Sequence, residues 1–249
     1  MILTIAGYGF VGKAHANVLR RFYDINIVDP KLNALTVRDY AQDGVIICVA
    51  TPQHDTGACN INAVYEVINS VSSDTPILIK STVSLEGWLF LKEQFPNHKL
   101  TFSPEFLRAA NAENDLINLK ELYLADGDVE FWTNIFTKAF KDITIKQYPA
   151  QELIIAKYFR NAFLATKVSF FNQVYDLCRA FNLDHQTVID AVTADARIGI
   201  SHSEVTSARG WGGHCFPKDI AALLHTAELE GVDLSIISEA VNYNNEIRK

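Results

Sequence analysis

The apolar run Ile2-Leu3-Thr4-Ile5-Ala6 passes directly into Gly7-Tyr8-Gly9-Phe10-Val11-Gly12. No other stretch constrains the fold as strongly. Glycines spaced G-x-G-x-x-G, after a strand and at the start of a helical segment, mark a βαβ unit. Gly7 permits the tight turn, Gly9 lets a pyrophosphate approach the backbone, and Gly12 lets helix and strand pack closely. The helix start offers free N–H groups and partial positive charge to phosphate. Asp29 ends the second candidate strand, where a carboxylate accepts from ribose hydroxyls and repels a 2′-phosphate, so NAD is favoured over NADP. A glycine turn kept only for packing is the competing reading. The strand, the helix and the terminal acid together weigh against it.

Residues 1–148 continue this rhythm. Candidate strands are Ile2–Ala6, Asn26–Asp29, Val45–Val49, Ile77–Lys80, Lys99–Phe102, Glu121–Ala125 and Ile143–Lys146. Short β-branched runs of this kind fit strands buried on both faces of a parallel sheet. The pattern changes after Tyr148-Pro149. Residues 151–182 hold no Pro or Gly and are dense in Ala, Leu, Phe and Val, which predicts one long, largely buried helix. A second helix is expected over 185–194, a glycine-rich loop over 199–217, and closing helices over 219–230 and 234–249. The expected fold class is α/β: a Rossmann-type, doubly wound, mainly parallel sheet followed by an all-helical domain with a long central helix. The expected domains are 1–148, binding NAD, and 149–249, helical.

With 49% hydrophobic and 20% charged residues the chain can bury real cores. Its net charge of -7 argues against nucleic acid or a membrane surface as a general partner. Cys48, Cys59, Cys178 and Cys215 show neither metal-ligand nor disulfide-scaffold spacing, so no metal and a reducing, cytoplasmic setting are expected. No apolar run approaches the ~20 residues that span a bilayer, and the N-terminus does not read as a signal peptide.

The candidate chemistry lies in Gly210-Trp211-Gly212-Gly213-His214-Cys215-Phe216-Pro217-Lys218-Asp219. Glycines bring backbone close to a ligand, and a thiol beside a cation can act as a thiolate nucleophile. A lone cysteine in a helical domain is more often inert core, and the other three cysteines fit that description. Asp219 is expected to orient a water or Lys157. Lys157 and Asn161, four residues apart on the long helix, share a face. They could stabilise an oxyanion, and polar groups on so apolar a helix need a partner. Thr51 and Thr82 follow strands at the sheet's ligand-binding edge. Thr82 reads equally as a helix N-cap. Glu105, after Ser103-Pro104, is expected to project from a strand end towards the cleft. A solvated loop carboxylate is its bland alternative.

These pieces, with Ser103–Arg108 and Asp195-Ala196-Arg197-Ile198-Gly199, run in the order found in the UDP-glucose/GDP-mannose dehydrogenase family, which the chain resembles across essentially its whole length. The resemblance implies an NAD-dependent, two-step oxidation of a nucleotide-sugar C6 alcohol to a carboxylate, with a UDP-sugar favoured. Cys215 would form a thiohemiacetal and then a thioester. Lys157 and Asn161 would hold the oxyanion, Thr82 and Asp219 would position water or move protons, and Glu105 would lie near the reacting centre. Cofactor contacts would fall on Gly7, Gly9, Phe10, Val11, Gly12, Asp29, Thr51, Thr82 and Glu105. Substrate contacts would fall on Phe106, Leu107, Arg108 and Gly212, with Arg197 reaching the substrate of a neighbouring subunit in a homodimer joined through the helical domain. Two departures stand out. Ala109 occupies the place of a second glutamate, and a methyl group cannot supply acid–base catalysis worth roughly 100- to 10,000-fold. The chain also ends about where the resemblance leads one to expect a C-terminal nucleotide-binding domain, so that domain is expected to be absent from this chain or supplied by a separate partner chain. Two alternatives remain: a single-step dehydrogenase of the β-hydroxyacid type, and a non-catalytic NAD-binding remnant.

Overall fold

The computed structural model describes residues 1–40, 43–54 and 57–248. Among the described residues seven strands form: β1 (Ile2–Ala6), β2 (Asp24–Val28), β3 (Gly44–Ile47), β4 (Ile77–Ile79), β5 (Leu100–Phe102), β6 (Glu121–Leu124) and β7 (Thr144–Gln147). The first five make one parallel sheet in the order β2-β1-β3-β4-β5. β6 and β7 pair in parallel, and an antiparallel bridge between Phe102 and Ala125 links β5 to the end of β6. The strand order reverses at β1. Right-handed crossovers running both ways from one strand place helices on opposite faces. This is a doubly wound sheet, and Gly7 leaves β1 at its switch point.

Every side chain of β3, β4 and β5 is buried, as apolar strands covered on both faces should be. β2 starts at Asp24, two residues before the expected start, because its register with β1 pairs Ile2 with Asp24. Helices α1 (Phe10–Leu19), α2 (Val37–Tyr40), α3 (Asn62–Asn69), α4 (Leu85–Gln94), α5 (Ala112–Ile117) and α6 (Val129–Ala139) connect the strands. Trp132 and Phe136 of α6 join Leu3, Ile5, Leu19, Ile46 and Leu78 in one buried core. The Asp128 carboxylate caps α6 by accepting from Phe131 N at 3.1 Å, satisfying one of the orphan donors of the first turn.

After β7 the elements of the described residues are helices: α7 (Ala150–Ala180), α8 (His185–Thr193), α9 (Cys215–Leu229) and α10 (Ser235–Ile247). At 1.5 Å per residue α7 is roughly 46 Å long. The chain forms two compact units, one of Met1–His54 with Cys59–Lys157, the other built on Tyr158–Lys249; the division falls within α7. Among the described residues no helix is long and apolar enough to cross a membrane.

Candidate active site

In the first unit, Gly7 adopts φ 91°, and its N–H donates to Val28 O at 2.9 Å. A β-carbon there would lie 2.7 Å from Cys48 O, so the end of β3 closes against the turn. A β-carbon on Gly12 would overlap the carbonyl oxygen of Gly7. Gly9 is different, with open space where a side chain would go. It also begins α1 with no side-chain cap, leaving first-turn N–H groups available to an anion. Asp29 follows β2, and its Oδ2 accepts from Tyr8 N at 2.7 Å while Oδ1 accepts from Lys31 N at 2.8 Å. An open glycine, an uncapped helix end and a carboxylate at the tip of β2 fit a dinucleotide. Phe10 is exposed, Val11 half-buried and Thr51 buried.

Folding brings Lys157 to Thr82, Nζ donating to Oγ1 at 2.6 Å. The Cys59 thiol approaches Thr82 O at 3.3 Å. The alternative reading of Thr82 as a helix cap is corrected: Ser84 caps α4, its Oγ accepting from Gly87 N at 3.1 Å. Thr82 lies two residues too early to reach that turn.

Lys80, which the sequence did not single out, organises the next loop. It is 3% exposed. Its Nζ donates to Ser103 Oγ at 3.0 Å and Pro104 O at 3.2 Å, and lies 3.2 Å from Glu105 Oε2. Two of its donors are taken by consecutive residues, Ser103 and Pro104, and the carboxylate of the next, Glu105, pairs with its charge. Glu105 Oε1 accepts from Phe106 N at 2.8 Å and Leu107 N at 3.1 Å. Glu105 is therefore neither solvated nor unengaged. Burial pushes its carboxyl up, but the Lys80 charge, His15 and the backbone bonds outweigh burial and hold it below the ordinary value. His15 on α1 lies 3.9 Å from the same carboxylate. Burial lowers its pKa to about 4, so the ring is neutral at pH 7, with Nδ1 donating to Val11 O at 3.0 Å. Burial also raises the Cys48 thiol pKa against the opposing pull of Lys80, which agrees with an inert cysteine. Arg108 is engaged as well, gripping Asp115 through Nε at 3.0 Å and Nη2 at 2.6 Å. Phe106 and Leu107 are half-buried. Ala109 begins a 3-10 turn and is exposed.

In the second unit, Cys215 is the first residue of α9, not part of a loop running to Pro217. Proline is tolerated in a first turn because the N–H it lacks has no intrahelical partner there. Cys215 is exposed, whereas Cys59 and Cys178 are buried, and it sits at the helix end that favours negative charge. Asp219, one turn on, is 2% exposed. It accepts from Asn161 Nδ2 at 2.6 Å and from Lys218 Nζ at 2.8 Å, so it orients Asn161. Gly213, with φ 81°, has no atom within 4 Å of where its β-carbon would be. Arg197 pairs with Asp195 at 2.5 Å, and Lys167 of α7 donates to Ile198 O and Gly199 O at 2.7 and 2.8 Å. Lys80, His15 and Lys167 escaped the sequence reading, whereas Cys59 is buried as an inert cysteine should be. Only Lys80 left a signal, a lone ammonium at the end of a fully buried strand.

A doubly wound sheet with a glycine-rich turn at its switch point, followed by a helical unit, is the architecture of the dinucleotide-dependent dehydrogenase folds. Residues 152–246 match the UDP-glucose/GDP-mannose dehydrogenase family, central domain. UDP-glucose 6-dehydrogenase from Rickettsia bellii is 32% identical over 219 residues, 82% of this chain and 49% of the relative. The enzyme of that name from Campylobacter jejuni is 34% identical over 194 residues, 76% of this chain and 48% of the relative. The structure of a UDP-glucose dehydrogenase from Pyrobaculum islandicum superposes with TM-score 0.85 at 25% identity, covering 98% of this chain and 68% of that one. The chain belongs to the UDP-glucose/GDP-mannose dehydrogenase family, and it spans about half the length of the curated relatives it matches.

Proposed function

We propose that this chain carries the cofactor-binding and nucleophile-bearing portion of an NAD-dependent nucleotide-sugar 6-dehydrogenase that takes a C6 alcohol to a carboxylate. The observation that carries the reading is Cys215, exposed at the start of α9 beside an open Gly213, with Asn161, Asp219 and Lys218 tied together one turn away. NAD, when bound, supplies the hydride acceptor. Gly9, the α1 N-terminus and Asp29 would hold its phosphates and ribose. The Cys215 sulfur adds to the C6 aldehyde, forming a C–S bond while the carbonyl oxygen takes a proton. The thiohemiacetal keeps a hydride on carbon, so the same carbon can be oxidised again, to a thioester. Water then adds, the C–S bond breaks, and the thiol leaves the carboxylate product. Lys157 and Asn161 would stabilise the oxyanions. Thr82 accepts from Lys157, which leaves its own hydroxyl proton to orient the water. Glu105, tied to Lys80 and to its own turn, holds the 103–108 loop in shape. Arg108 and Arg197 would contact substrate, the latter in a neighbouring copy.

A homodimer is part of the proposal. Phe159, Phe163, Phe170 and Leu177 recur along α7, Phe181 follows directly after its last residue, and all five are 43 to 68% exposed. An apolar stripe of this length on one helix calls for a partner.

The test is incubation with NAD and a panel of UDP- and GDP-sugars, followed by absorbance of reduced nicotinamide. Two NADH per sugar, abolished by Cys215→Ala, is the expected result. Normal turnover by Cys215→Ser would point to the single-step class. Cofactor binding with no NADH from any sugar, and a Cys215 alkylated no faster than an ordinary thiol, would leave a binding remnant.

A further inference from the structure

At two glycines of the motif before Cys215 an added β-carbon would run into the protein itself. Arg209 and Gly210 both take left-handed backbone, φ 55° and 56°, which turns Trp211 towards α10. There Asn244, 4% exposed, meets it with both ends of its amide. Oδ1 accepts from Trp211 N at 2.7 Å and Nδ2 donates to Trp211 O at 3.1 Å. One side chain thus replaces a neighbouring strand. The indole Nε1 donates to Ser169 Oγ at 3.0 Å. One turn beyond Asn244, Arg248 donates from Nη1 to Arg209 O at 3.1 Å. A β-carbon on Gly210 would overlap Asn244 Oδ1, and one on Gly212 would lie 2.5 Å from the Arg248 guanidinium. Gly213 alone is unencumbered, and Cys215 follows two residues later.

We infer that Asn244 and Arg248 are positioning residues that set where α9 begins and hence where the Cys215 sulfur sits. Trp211 is gripped at its N–H, its C=O and its indole, so only Gly212, Gly213 and His214 separate a fixed point from the first residue of the helix. Gly210 and Gly212 are small because the end of α10 leans on them. This rests on Cys215 being the nucleophile, but it is tested through thiol chemistry alone.

The experiment is the second-order rate of Cys215 carbamidomethylation by iodoacetamide, read by peptide mass spectrometry, with folding checked by circular dichroism. Asn244→Ala is expected to slow the reaction about two- to fivefold, the range for a negative group losing a well-formed helix N-terminus. Asn244→Asp keeps the acceptor and loses the donor, and should fall between. Gly212→Ala and Arg248→Ala should each slow it, and their double variant should be no slower than the worse single, because the added methyl acts by displacing the guanidinium that Arg248→Ala deletes. A folded Asn244→Ala with the wild-type rate overturns the proposal, as do Gly212 and Arg248 effects that multiply. If Asn244→Ala does not fold, the Gly212/Arg248 cycle decides. Absence of NADH formation by the wild type would defeat the nucleotide-sugar reading and leave these rate comparisons intact.

Discussion

Lys80→Met removes the cation on which the β5 loop is built. Lys80 and Glu105 side chains are 2% and 10% exposed, so solvent screens their attraction little. Removing one partner of a buried pair costs about 3–5 kcal/mol, because the other charge stays buried uncompensated. The pH dependence gives a sharper signature. In the wild type the folded Glu105 carboxyl is held below its ordinary value of 4.5. Its contribution to stability is present above 4.5 and is lost as pH falls through the lower folded value. Without Lys80, burial dominates and the folded carboxyl rises above the unfolded one. The sign then inverts. The charged form costs stability at neutral pH, and the deficit shrinks as acid protonates Glu105. His15, lowered from 6.5 to about 4, takes stability from both proteins as pH falls below 6.5, so the informative quantity is the difference between the two curves. Urea unfolding at pH 7 and pH 5 measures it, followed by Trp88 and Trp132 in a Trp211→Phe background so that only the first unit reports. A pH 7 loss under ~1 kcal/mol would fall below any buried-pair estimate and refute the reasoning. A deficit that grows on acidification would refute it equally, and Lys80→Met/Glu105→Gln should recover most of the loss.

Gly12→Ala should cost about 1–3 kcal/mol in chemical denaturation, as overpacking against backbone does, whereas Gly9→Ala, with open space around it, should leave stability unchanged and weaken NAD binding. Asp115, drawn down to about 2 by its hydrogen bonds to Arg108, should titrate near that value by carboxyl carbon NMR and move back towards 3.8 in Arg108→Ala; an unmoved midpoint sinks that assignment. Phe163→Asp/Phe181→Asp should convert a dimer to a monomer in light scattering after gel filtration, and a monomeric wild type would refute the role given to the α7 stripe.

The strands were legible because runs such as Gly44–Ile47 and Ile77–Ile79 are apolar on both faces, a pattern that only a covered sheet explains. Gly7 and Gly12 were legible because their reason is local, a turn and a helix packed against its own strand. The start of α9 was not, because Pro217 reads as a break until its place in the first turn is known. Lys80 and Asn244 were hidden for another reason. Lys80 meets acceptors 23 to 25 residues later in sequence and Asn244 meets Trp211 33 residues earlier, and single-sequence periodicity carries no trace of such pairings. Glycines 210 and 212 were visible as glycines, but sequence could not say that a helix from the same chain fills the space beside them.

Asp29 holds a consequence for how this protein can change. Its carboxylate is the feature that would discriminate between the two nicotinamide dinucleotides, yet the same group accepts the amide of Tyr8 inside the glycine turn. Exchanging it for a small neutral residue, the obvious route to tolerating an extra phosphate, would also release that amide and unsettle the turn. A switch of coenzyme preference in this lineage would thus need a replacement that still accepts a hydrogen bond, such as asparagine or serine, or a second compensating mutation acquired first.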